Sequence, residues 1–163
     1  MIDKEELKGK VAIITGAGQG MGRAVARRLA ASGAVLVVND LNKETSERTA
    51  EDLKAGGCSV ISIPGDVTSS EDVSDLINGA VNAYGTIDIL VNNAGVLRPT
   101  PVIDIEEEEW DSVIKGNLKS TYLCSRAVLT TMRKCDWGRI VNFSSTAGKN
   151  ISTVGGAHYT AAK

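Results

Sequence analysis

Metal-ligating residues are few and poorly spaced. The chain has one histidine, His158, and its three cysteines, Cys58, Cys124 and Cys135, stand far apart with no paired spacing. Thiolate and imidazole metal sites draw on closely spaced ligand pairs, so no metal centre is expected. An odd cysteine count also argues against a disulfide framework and for a reducing compartment. Cys124 and Cys135 are read as packing residues, and His158 as a loop residue near a site. The net charge is only −2. That gives no electrostatic reason to expect nucleic acid or an anionic membrane as partner. No apolar run reaches the length of a membrane span. The charged opening Met1-Ile2-Asp3-Lys4-Glu5-Glu6 lacks the apolar centre of a signal peptide. A soluble, cytoplasmic protein is expected.

Glycine is abundant instead, at 17 residues, while aromatic residues make up only 4%. Such a glycine excess suits tight βα turns and close approach of backbone to a ligand. A chain of 163 residues can build one domain with a real core, but not two. Short β-branched runs recur at 11–15, 35–38, 60–63, 87–91 and 140–143. They are apolar on both faces, which predicts buried parallel strands. Between them lie helical stretches. Residues 22–32 carry the stripe Val25, Ala26, Leu29, Ala30 and stop at Gly33. A mostly polar helix spans 42–55 and ends at Gly56-Gly57. Thr68-Ser69-Ser70-Glu71 has capping-box form and opens a helix to Tyr84. Residues 106–134 read as one long helix with the inward stripe Trp110, Val113, Ile114, Asn117, Leu118, Thr121. The acidic run Glu106–Glu109 sits in its first turn, where it favours the helix dipole, and is assigned to a solvated face. Alternating units of this length specify a Rossmann-like, doubly wound α/β sheet with strand order 3-2-1-4-5.

The first βα turn, Thr15-Gly16-Ala17-Gly18-Gln19-Gly20-Met21-Gly22, is bare enough to bring backbone N–H groups and a helix N-terminus to a pyrophosphate. Met21 occupies the place where a Gly-x-Gly-x-x-Gly motif has its third glycine. Gln19 and Met21 join the glycines as candidate cofactor contacts, and a glycine-rich turn that binds nothing is the bland alternative. Asp40 ends the second strand about twenty residues later, where a carboxylate accepts hydrogen bonds from an adenosine ribose. It would repel a 2′-phosphate, and Gln19 is neutral, so NAD is favoured over NADP; Lys43 lies near enough to bear on that choice. Asp40 as a simple helix cap stays open. Asn92-Asn93-Ala94-Gly95 follows the fourth strand and either lines a crevice or makes a turn.

Tyr159 and Lys163 lie four residues apart, on one face if the segment is helical. A phenol beside an ammonium is an acid–base device. Asn117 is an amide on an apolar stripe, where an unpaired polar group is costly; nearby backbone would satisfy it most simply.

Taken together, Thr15-Gly16-x-x-x-Gly20-x-Gly22, Asp66-Val67, Asn92-Asn93-Ala94-Gly95, Asn117, Ser144-Ser145 and Tyr159-x-x-x-Lys163 resemble the short-chain dehydrogenase/reductase family, in order and at compatible spacing along essentially the whole chain. The 3-oxoacyl-thioester reductases are among its similar members. The resemblance implies that Gly16, Gly20 and Gly22 hold the pyrophosphate and Asp40 takes the ribose. It implies that Asp66 and Val67 meet the adenine and that Asn92, Ala94 and Gly95 support the cofactor. It implies Tyr159 as general acid or base toward an alcohol or ketone, with Lys163 biasing it and gripping the nicotinamide ribose. Asn117 would hold a water in a proton relay to Lys163. Ser145 would hydrogen-bond the substrate oxygen, selected by the strand 139–143; counting back from Tyr159 selects Thr146 instead, and the loop 149–156 can absorb the difference. Homodimers or homotetramers packed through the long helix and the tyrosine helix are implied as well. Relatives continue for several dozen residues past the lysine, adding two strands and a substrate lid. The expectation is therefore a single dinucleotide-binding domain over 1–163, cut from a longer parent protein. The alternative is a non-catalytic nucleotide-binding fragment of such an enzyme.

Overall fold

The computed structural model describes residues 6–150, 152 and 154–163. The charged opening at 1–5, and residues 151 and 153 of the loop before the tyrosine, lie outside the described residues. Five parallel strands form one sheet in the order β3-β2-β1-β4-β5. They are β1 (Val11–Ile14), β2 (Val35–Val38), β3 (Val60–Ser62), β4 (Ile89–Asn92) and β5 (Arg139–Asn142). Register is continuous, with Ile13 opposite Val37 on one side and Leu90 on the other. Parallel strands need long crossovers. These are supplied by α1 (Gly20–Ala31), α2 (Lys43–Ala55), α3 (Ser70–Tyr84), α4 (Glu107–Ile114) and α5 (Ser120–Lys134); α6 (Ala157–Ala162) follows β5.

The apolar strand runs split their residues between two cores, as a period of two requires. Ile13, Val37 and Leu90 face α3 and α5, meeting Leu76, Cys124 and Val128. Ile14, Leu36 and Val91 face α1 and α2, meeting Ala26 and Leu53. Cys124 is thus a packing residue, and burial pushes its thiol up to about 12. Cys135 is exposed, its Sγ 3.6 Å from Thr86 Oγ1, and is not a core residue, contrary to expectation, because α5 ends one residue before it. β5 lies at the sheet edge, and Val141 is 47% exposed.

Two local expectations shift. The cap of α3 is Ser69, whose hydroxyl accepts from the Asp72 N–H at 3.3 Å, not Thr68. Thr68 is already engaged in the preceding turn, its N–H donating to Asp66 Oδ1 at 2.8 Å. The long helix is also not one helix. A π turn, Lys115–Lys119, separates α4 from α5. The Asn117 amide donates to the Val113 carbonyl at 2.9 Å, and the Asn117 carbonyl accepts from Thr121 Oγ1 at 2.8 Å. Side chains thus occupy positions on carbonyls that a regular ladder gives to backbone, and the turn widens. The register moves with it. The buried stripe runs Val113, Asn117, Ser120, Cys124, Val128, Met132, while Trp110 and Leu118 are 38% and 51% exposed.

Candidate active site

The C-terminal ends of β1, β2 and β4 open into a cleft of about 380 Å³. It lies where the strand order turns from β1 outward in both directions, the place such sheets use for ligands. Gly16, Gln19 and Met21 line it from the first turn, Asp40 from the end of β2, Asp66 and Val67 after β3, and Ala94 and Gly95 after β4.

The glycines of the first turn have separate jobs. Gly16 takes φ +63°, and a Cβ there would lie 2.9 Å from the Cα of Ala94. The first and fourth βα turns therefore meet backbone to backbone. Gly20 takes φ +55°, and a Cβ on it would meet nothing within 4 Å. It opens α1, whose N-cap Gln19 makes no side-chain cap and whose first turn holds no acidic residue. The first N–H groups of α1 thus lack a side-chain acceptor and face an open approach, the arrangement that binds an anion. Gly22 does something else. It is buried, and a Cβ on it would strike the Gly16 carbonyl and the Asn93 amide. It packs α1 onto the turn.

Two residues absent from the sequence-based set hold this corner. The Thr15 hydroxyl accepts from the N–H groups of Asn93 and Ala94, both at 3.1 Å. Asn93 Nδ2 donates to the carbonyls of Thr15 and Gly16 at 2.9 and 3.0 Å. Their signal was the motif's threonine and its second asparagine. Asn92, by contrast, is buried inside the sheet and does not line the cleft. Its amide donates to Ser125 Oγ at 3.0 Å and Asn142 Oδ1 at 2.8 Å, bracing β4 against α5 and β5.

Asp40 accepts from the Gly18 N–H through Oδ2 at 2.8 Å and from the Asn42 N–H through Oδ1 at 3.1 Å. Each carboxylate oxygen retains a further acceptor position toward the cleft. The cap of α2 is Asn42, which accepts from the Thr45 N–H. Lys43 pairs with Glu47 at 3.7 Å, on the exposed side of α2. Asp66 is held by Asp72, whose Oδ2 accepts the Asp66 N–H at 2.8 Å. That backbone hydrogen bond, with one from the Ser69 side chain, keeps the Asp72 carboxyl below its usual range.

The chemical groups gather beyond Gly95; Asn117, Ser145, Tyr159 and Lys163 are not among the residues that line the cleft. Tyr159 lies on α6. Lys163 Nζ sits 5.7 Å from the Tyr159 ring centroid and donates to the Phe143 carbonyl at 2.9 Å. Partial burial pushes the Lys163 amine below its usual range. A Cβ placed on Gly95 would lie 3.3 Å from Lys163 Nζ and 2.5 Å from Asn117 Oδ1. Gly95 thus joins the cleft to the lysine. Asn117 fits both of its readings at once. Its Nδ2 is satisfied by the carbonyls of Val96 and Val113, at 2.8 and 2.9 Å, while its buried Oδ1 has no partner. Ser145 caps a 3₁₀ turn, Thr146–Gly148, its Oγ accepting from the Ala147 N–H at 3.2 Å, so its own hydroxyl proton is free for another acceptor. Ser144 donates to the Lys163 carbonyl at 2.7 Å. The turn packs against α6.

His158 is not a loop residue. It lies on α6, fully buried, with Nε2 2.9 Å from Glu109 Oε1. Glu109 is accordingly not a member of a purely solvated face. The reason is tertiary: α6 packs on α4. Among the described residues no cluster of His, Cys, Asp and Glu could hold a metal ion, and no helix is long and apolar enough to cross a membrane.

The family model described as short chain dehydrogenase matches residues 10–163. An uncharacterized oxidoreductase of Mycobacterium bovis is 41% identical over 158 residues, covering 96% of this chain and 63% of that protein. A 3-oxoacyl-(acyl-carrier-protein) reductase of Pseudomonas aeruginosa is 39% identical, with coverage of 96% and 63%. The crystal structure of a short chain dehydrogenase from Mycobacterium smegmatis superposes with a TM-score of 0.94 at 39% identity, covering all of this chain and 69% of that one. The chain thus spans less than two thirds of the length of these curated relatives.

Proposed function

The chain belongs to the short chain dehydrogenase family, and on that premise we propose that it transfers a hydride between a nicotinamide dinucleotide and a secondary alcohol or ketone. The observation that carries this reading is the position of Gly95, which lines the cleft and also abuts the amine of Lys163. The open approach over Gly20 and the idle Asn117 Oδ1 are features that a bound dinucleotide and its ordered water would use.

When bound, the nicotinamide supplies the hydride chemistry. The protein's part is placement and the proton. The N–H groups that open α1 would hold the pyrophosphate, and Asp66 and Val67 the adenine. Tyr159 would give its phenolic proton to the substrate oxygen in reduction and recover it in oxidation. Lys163, whose Nζ lies 5.7 Å from the ring centroid, would grip the nicotinamide ribose. Ser145 would donate its hydroxyl to the same oxygen as charge develops there. Asn117 Oδ1 would accept from a water on the way to Lys163.

Finer features of the reading have their own supports. NAD is favoured over NADP by the Asp40 carboxylate in the cleft, the neutral Gln19 and the engagement of Lys43 by Glu47. A 3-oxoacyl-thioester-like substrate is favoured by the similarity to the Pseudomonas reductase. Self-association as a dimer or tetramer is favoured by exposed Leu118 in the π turn and exposed Tyr122 and Leu129 on α5. Residues 1–163 act as one dinucleotide-binding unit in this reading, and the free cysteines suit a reducing compartment such as the cytoplasm.

The test is Tyr159→Phe. It should abolish ketone reduction by NADH while leaving NADH binding, followed by fluorescence, within about 3-fold; retained turnover rejects the mechanism. The second reading, dinucleotide binding without catalysis, is favoured by the cleft's lining, which includes neither Ser145 nor Tyr159 nor Lys163. NADH binding with no turnover across a ketone panel would select it.

A further inference from the structure

We infer that Glu109 and His158 are a positioning pair for Tyr159, the proton-transferring phenol of the proposed reaction, on which this inference rests. Tyr159 lies on α6, and its place follows from what that segment docks against. Its first turn is tied where the Gly156 N–H donates to the Arg98 carbonyl at 2.8 Å. Its end is tied by Lys163 on the Phe143 carbonyl. Between these lies His158, adjacent to the tyrosine and fully buried. Its ring is fixed on one face by Trp110, with centroids 6.2 Å apart and planes 23° apart, and at its edge by Glu109 at 2.9 Å.

A carboxylate only accepts, so Nε2 carries the hydrogen. Nδ1 is buried without a partner, hence the Nε2–H tautomer leaves an idle lone pair, whereas a doubly protonated ring would bury an unpaired donor. The Thr100 hydroxyl also donates to Glu109 and, as the larger influence, helps hold its carboxyl below the usual range. The bond joins α6 to α4, the helix that runs into the π turn carrying Asn117. One contact therefore relates Tyr159 to Asn117 across the site, with neither Glu109 nor His158 assigned to touch substrate.

The test is steady-state kinetics and NMR on Glu109→Ala and Glu109→Gln in the full protein. Glutamine keeps an acceptor for Nε2 and an amide for Thr100. Glu109→Ala should lower kcat about 10- to 100-fold, with KM and NADH Kd within about 3-fold of wild type. Glu109→Gln should recover most of that loss. The imidazole correlations assigned to His158 report its state. Wild type should show the Nε2–H tautomer, and Glu109→Ala should lose its lock. Three results overturn the inference alone: an active enzyme in which Glu109→Ala leaves kcat unchanged, a glutamine variant as impaired as alanine, or a wild-type imidazole in the Nδ1–H form. A wild type without turnover, or an active Tyr159→Phe, overturns the functional reading and takes the positioning role with it.

Discussion

Asn117 Oδ1 and Lys163 Nζ approach one another over Gly95, so closely that a single methyl there would meet both, at 2.5 and 3.3 Å. The oxygen has no room to yield, because the amide nitrogen of the same side chain is tied to two carbonyls. Gly95→Ala should therefore displace Asn117, Lys163 or both. We expect kcat to fall at least about 10-fold, from misplacement of groups that must align with the reacting atoms. Kinetics beside a thermal melt would check this; full activity would show that the two side chains can part freely.

The Asp40 carboxylate faces the cleft while holding Gly18 and Asn42. Asp40→Ala should raise the ratio of NADP(H) to NAD(H) efficiency, because a charge that repels a 2′-phosphate is gone. The absolute rate with both cofactors should also drop, because the Gly18 turn loses its acceptor. An unchanged ratio of kcat/KM values counts against the preference for NAD.

Asp72 makes the turn after β3 sensitive to acid. Its folded-state pKa is lowered from the ordinary 3.8, chiefly by the Asp66 backbone N–H. A lowered carboxyl gives stability that is present above the unfolded value and is lost as pH falls through the folded one. Wild type should thus lose part of its stability below about pH 4, and Asp72→Asn should lose less over the same range. Denaturant melts from pH 6 to pH 3 would show the difference, and parallel curves would refute it.

Thiol chemistry should separate the cysteines. Cys135 is exposed, whereas Cys124 is buried with its thiol pushed up to about 12. A thiol-specific dye at pH 8 should modify Cys135 readily and Cys124 only on unfolding. Because the Cys124 pKa is raised on folding, the stability it lends holds below the unfolded value of about 9 and fades above it. Mass mapping of labelled peptides would decide, and rapid native labelling of Cys124 would contradict its burial.

Much of this was readable from residue order because single principles dominated locally. Val35–Val38 is apolar on both faces and could satisfy that only inside a covered sheet; Gly33 follows α1 in the left-handed conformation, φ +86°, that glycine adopts at no steric cost. Tyr159 and Lys163 could be paired from spacing alone. The misses share a cause, competition between a local rule and a partner far away in sequence. The π turn at Asn117 depends on side chains taking carbonyls, which leaves no periodic trace. The burial of His158 depends on Glu109 and Trp110, some fifty residues earlier in the chain. Thr68 fitted a capping box better than Ser69, yet an Asx turn at Asp66 had already claimed its N–H. Asn92 and Asn93 are adjacent and chemically identical, and only strand alternation decides which one braces the sheet and which one reaches the cleft.

The wide turn between α4 and α5 amounts to one residue more than a regular helix would use. Removing a residue from that stretch should let the two halves fuse into an unbroken rod with better local bonding and a straighter outer ridge. The carboxamide of Asn117 would then swing away from Lys163, so the sturdier variant would be the inert one. Here irregularity in the backbone is the means by which a helix presents a polar tip inside an otherwise greasy seam.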